Sequence, residues 1–154
     1  MANSHAEIFL SLRIEMLDTL VESRHSIDDS FGTLPEPMIR RQFKTVVDQM
    51  QRYLVSPSPA QLQQAVSTWS ATLLGMGLSP RSVLRTVVTM GDLLVQVSKQ
   101  ELAPGPATNL FVREVVRLNF NAAREVVALF NDELEEQRAA QLITEPGQGN
   151  NVIS

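Results

Sequence analysis

Apolar residues recur every three or four positions along most of this chain, and polar breaks rich in proline or glycine divide the pattern into five helical segments. The first spans about Ser4 to Val21. Ser4 and Glu7 have capping-box spacing, Phe9, Leu12, Met16 and Leu20 line one face, and Leu10, Ile14, Leu17 and Val21 widen it. A stripe that wide predicts a helix covered on more than one side. The stretch from Glu22 to Pro37 is polar and turn-rich, with room for one helical turn around Ser26 to Ser30.

The second long helix starts near Pro37, a residue suited to the first helical position, and carries Ile39, Phe43, Val46, Met50 and Leu54. Ser56-Pro-Ser-Pro59 interrupts it. Ser58 can cap and Pro59 can open the third helix, whose face is Leu62, Ala65, Val66, Trp69 and Leu73 and whose end is Gly75-Met-Gly77. Ser79 and Pro80 repeat the device for a strongly apolar fourth helix through Val83, Leu84, Val87, Val88, Leu94 and Val95, which stops before Pro104. The short link between these two helices predicts a side-by-side hairpin, with Trp69 in the core between them.

The last helix, from about Thr108 to Gln141, is the longest. At about 1.5 Å per residue it would span roughly 50 Å, more than a small domain needs, so part of it is expected to project. A seven-residue pattern places Val116, Ala123 and Phe130 in one position and Phe120, Val127 and Leu134 in the other. Phe120, Ala123, Val127, Phe130 and Leu134 therefore form a candidate seam for a parallel homodimer. Glu133 and Arg138 flank it at the five-residue spacing at which opposite charges meet across such a pair. No segment alternates like a strand. The expectation is an all-α fold, a globin-like helical bundle with a long projecting C-terminal helix, forming one domain over 1–142 and leaving 143–154 as a disordered tail or linker.

Composition narrows the chemistry. In 154 residues there are no cysteines and only two histidines, which excludes disulfides, thiolate metal sites and cysteine nucleophiles. His5 sits in a first turn and His25 in the polar loop, with no carboxylate at helical spacing that would complete a zinc site. No histidine follows His25, so a late proximal ligand for haem is lacking and no cofactor is expected. There is no nucleophile elbow and no glycine-rich phosphate loop. Asp28 and Asp29 suit turn and capping roles better than acid–base work. A non-enzymatic protein is the expectation.

Net charge is −4, and the basic residues are scattered apart from Arg40, Arg41 and Lys44, which makes a poor nucleic-acid footprint. The N-terminus lacks a basic segment followed by an apolar one, and no apolar run approaches the roughly 20 residues of a membrane span, so a cytoplasmic protein with no membrane contact is expected. Met38, Met50, Met76 and Met90 suit core filling better than the wall of a plastic ligand pocket, and Trp69 suits a core anchor better than a ligand platform. The alternative reading is a pocket in which Trp69, Met50 and Met90 contact a lipid or tetrapyrrole-like molecule.

The run from Trp69 to Gln100 (WSATLLGMGLSPRSVLRTVVTMGDLLVQVSKQ), followed by a long helix ending ALFNDELEEQRAAQL, resembles the N-terminal sensor domain of RsbR-type stressosome proteins and related kinase regulators. The resemblance extends from about residue 38 to 142. It implies a non-haem globin domain that dimerises and passes its state through a C-terminal helix to a STAS domain or another signalling partner. No site residue is implied by it.

Overall fold

The computed structural model describes residues 4–144, with the side chains of residues 133, 134, 137, 143 and 144 outside the description. The protein is all-α, with no strand among the described residues. Five long helices are α1 (His5–Glu22), α4 (Glu36–Val55), α5 (Pro59–Gly75), α6 (Pro80–Glu101) and α7 (Pro106–Thr144), and two single-turn helices, α2 (Arg24–Ile27) and α3 (Asp29–Gly32), fill the polar segment after α1. Most of the segment predicted as 143–154 lies outside the described residues.

Local chemistry sets the boundaries. Ser4, Ser58 and Ser79 each accept a hydrogen bond from the backbone N–H three residues on, at 3.2, 3.3 and 3.2 Å, relieving the unpaired donors of the first turn. At the end of α5 the Gly77 N–H donates to the Leu74 carbonyl and the Leu78 N–H to that of Leu73, with Gly77 at a φ of 97°. That pairing needs a left-handed residue just past the helix, which glycine adopts without a Cβ clash, and it leaves Leu78 buried beside Leu73. The polar segment holds two helical turns where one was expected. Asp28 separates them: its extended backbone breaks the helix and its carboxylate caps α3 by accepting from Ser30 N at 3.0 Å.

α6 occupies the centre and packs chiefly on α7 and α1, while α1 lies along α4 and α5 lies on α7. This corrects the expected α5–α6 hairpin, since those two helices touch only slightly. A short link brings two helix ends together but does not choose the faces that pack. α6 is apolar over most of its circumference, burying Val83, Val87, Met90, Leu94 and Val97, and is therefore drawn between two partners. Its buried hydroxyls are satisfied within the helix, Thr86 donating to the Ser82 carbonyl at 2.7 Å and Ser98 to that of Leu94 at 2.8 Å. Phe31 of α3 and Phe43 of α4 meet edge-on at 5.4 Å, and Arg13–Asp48 and Arg40–Asp18 ion pairs join α1 and α4 at the surface.

The structure divides the seam proposed on α7. Phe130 is only 8% exposed and belongs to the core of its own chain, and Ala123 packs against that core. Phe120 and Val127, by contrast, are 61% and 42% exposed, and Val116 beside them is half exposed. The Leu134 and Glu133 side chains lie outside the described residues, and Arg138 is exposed.

Candidate functional site

The slight contact between α5 and α6 leaves space where α4, α5, α6 and α7 converge. A cavity of about 330 Å³ lies there. Close-packed interiors leave few voids larger than a water molecule, whereas ligand sites begin near this size. The deep wall is buried and apolar: Val87, Met90 and Leu94 from α6 and Leu118 from α7. Val46, Met50 and Tyr53 of α4 face Leu62, Val66 and Trp69 of α5 across it. Toward solvent the lining becomes polar and exposed, with Arg52 on α4 and Gln61, Gln64 and Thr68 on α5. The helical spacing of these residues explains the gradient, because each helix turns its apolar stripe inward and the flank of that stripe forms the mouth.

Trp69, Met50 and Met90 come together in this lining. They come from three different helices, so their proximity is a property of the tertiary fold. Met38 is exposed and Met76 is half-buried away from the cavity, which separates methionines that the sequence pattern could not tell apart. Trp69 is 8% exposed, and its buried indole N–H finds no acceptor among the described residues.

Sequence reasoning missed Arg52, Tyr53 and Asn119, which carry polar atoms to the cavity. Arg52 and Tyr53 lie at the flank of the α4 stripe and would read as an ordinary solvated edge. Asn119 is accommodated because α6 carries Gly91 opposite it, so that the two helices approach closely at that level. A glycine inside an apolar helix was the available signal.

The remaining candidates lie elsewhere. Neither His5, whose ring centroid is 6.2 Å from that of Phe111, nor the exposed His25 lines the cavity. Among the described residues no three histidine or acidic side chains are grouped to hold a metal ion. Arg40 of the basic run is engaged by Asp18, leaving Arg41 and Lys44 as exposed charges. Among the described helices none is long and apolar enough to cross a membrane.

α7 connects the cavity to the outer surface. At about 3.6 residues per turn, Val116, Phe120 and Val127 fall on one face of this helix, while Leu118, Asn119 and Ala122 fall on other sides and close the cavity. Arg124 lies over the Phe120 ring at 6.0 Å from its centroid, a contact available to exposed cations and of small energy. Comparison of this chain with protein-family models, curated proteins and solved structures yields no match.

Proposed function

We propose that this protein is a non-catalytic sensory or protein-interaction module, a globin-like helical body that self-associates and transmits through its C-terminal helix. The observation that carries this reading is the double role of α7: one part of its circumference closes an internal cavity, and another presents Val116, Phe120 and Val127 to solvent. A helix in contact with both can couple what occupies one to what packs on the other, provided that the two arrangements differ in free energy. A place in bacterial stress signalling, as in the RsbR-type sensor domains, is part of this proposal, and so are the downstream signalling partner and the cytoplasmic location. The all-helical architecture and the absence of any histidine after His25 agree with that assignment.

The test is the oligomeric state. Phe120→Glu combined with Val127→Glu places charges on the exposed stripe without touching the buried face. Light scattering is expected to give a dimer for the wild type and a monomer for the double variant, with equal helicity by circular dichroism. A wild type that is monomeric at about 100 μM, where association stronger than roughly 5 kcal/mol would be visible, removes the self-association from the reading.

A second reading is favoured by the cavity itself: the domain binds a small apolar or amphipathic molecule there, with Trp69, Met50 and Met90 in the wall. Its support is the convergence of those three side chains around about 330 Å³ of space. The two readings are compatible, since ligand binding would be the sensory event. Native mass spectrometry of protein purified from its host tests it, a stoichiometric adduct being the expected result.

A further inference from the structure

The charge distribution around the cavity says more than its size does. Among the described residues that line it, Arg52 alone is charged, and none of them is a carboxylate. Arg52 forms no ion pair among the described residues. The acid one turn earlier on α4, Asp48, is held by Arg13 of α1 and is not available to it. At the outer edge Gln61, Gln64 and Thr68 add only neutral polar groups, while Met90 and Leu94 make the deep wall apolar. The site therefore has a largely apolar, polarizable interior, with the neutral amide of Asn119 in its wall, and a single positive charge at its mouth.

We propose that the cavity takes a small amphipathic organic anion, with its apolar body against Met50, Trp69, Met90 and Leu94 and its acid group at Arg52. The inference rests on the ligand-binding reading above and adds the chemical class. A guanidinium offers paired donors matched to the two oxygens of a carboxylate or sulfonate, and it remains cationic at any physiological pH. The volume restricts the body to about two or three rings or an equivalent branched chain. A cationic ligand would meet the one charge of the site with the wrong sign and find no acid to pair with.

Two probes of nearly the same shape separate the contributions. 1-Anilinonaphthalene-8-sulfonate carries an acid group, and N-phenyl-1-naphthylamine has the same rings without it. Trp69 is the chain's one tryptophan, so energy transfer from indole to either probe reports occupancy next to it. For the full chain, the expected result is saturable binding of both probes at one per chain. Arg52→Ala should weaken the sulfonate roughly three- to tenfold, in keeping with a partly hydrated charged contact, and leave the neutral probe within about twofold. Arg52→Lys should restore part of the loss. Ala65→Phe, or Val46→Phe should the first lose helicity, fills the cavity and should abolish both.

Sulfonate binding indifferent to Arg52→Ala, or an equal loss of both probes in that variant, overturns the anion assignment while leaving a ligand cavity. No energy transfer with either probe up to about 100 μM overturns the ligand reading as well. Probe binding that survives both plugging variants but disappears with Phe120→Glu belongs to the exposed stripe on α7 and likewise overturns the proposal.

Discussion

Gly91 of α6 and Asn119 of α7 face each other so closely that a Cβ on the glycine would fall within the space of the asparagine side chain. This contact sets the distance between the two most extensively packed helices of the fold, and it lies in the wall of the cavity.

Gly91→Ala consequently has two opposing effects. Alanine is worth about 1 kcal/mol over glycine inside a helix, whereas forcing a methyl group into a packed contact typically costs 1–3 kcal/mol. A net destabilisation of about 1 kcal/mol is expected in urea unfolding. A neutral or stabilised variant would mean that Asn119 swings aside freely.

Asp28 yields a pH dependence with a definite sign. Burial pushes its carboxyl pKa up, but the hydrogen bonds from Ser30 and the Arg85 guanidinium at 3.2 Å outweigh this and hold it below its ordinary value of 3.8. Because the folded-state pKa is depressed, the stabilisation is present above that ordinary value and is lost as pH falls through the lower folded one. Asp28→Asn should therefore be less stable than the wild type at neutral pH, with the gap closing below about pH 4. Arg85 is largely exposed, so Arg85→Ala is expected to cost less than about 1 kcal/mol, and Asp28→Ala more because the α3 cap goes with it.

Trp69 borders space that is already open, so truncation enlarges a cavity. Trp69→Ala should cost about 3–5 kcal/mol, measured by denaturant unfolding. Trp69→Phe should cost much less, because a phenyl ring keeps most of the buried aromatic volume. Native emission should be blue-shifted. Emission typical of hydrated indole would place the ring outside the core.

Ser79→Ala removes the side chain that caps α6, at an expected cost of about 1 kcal/mol, and Ser58→Ala does the same for α5. Thermal unfolding of the double variant should show the two losses adding, since the caps serve different helices and share no partner.

Helix positions were legible in the chain because their causes are local. Serine followed by proline at 58–59 and 79–80 supplies a cap and a preset φ at the first turn, and Gly77 supplies the left-handed turn that ends α5. The apolar spacing identified most of the core, including Phe9, Leu12, Met16 and Leu20 of α1. The segment after α1 was less legible: the Asp28 cap on Ser30 is local, but the Arg85 guanidinium that also holds its carboxylate comes from α6, far away in sequence.

Residue types and helical spacing by themselves determined the all-α class, the helix starts and the inward-facing stripes, since each follows from interactions within a turn or two of the backbone. Only the tertiary structure decided which stripes meet. α5 rests on α7 instead of α6, so Met50, Trp69 and Met90 border a cavity and Arg52 stands at its mouth. On α7 the same seven-residue pattern holds a buried Phe130 and an exposed Phe120, because the apolar stripe is wider than the side of the helix that its neighbours cover: Ala123, Val126 and Phe130 turn toward the core and Phe120 and Val127 turn to solvent. Periodicity records that a face is apolar, and only the arrangement of the neighbouring helices settles how much of it is kept from water.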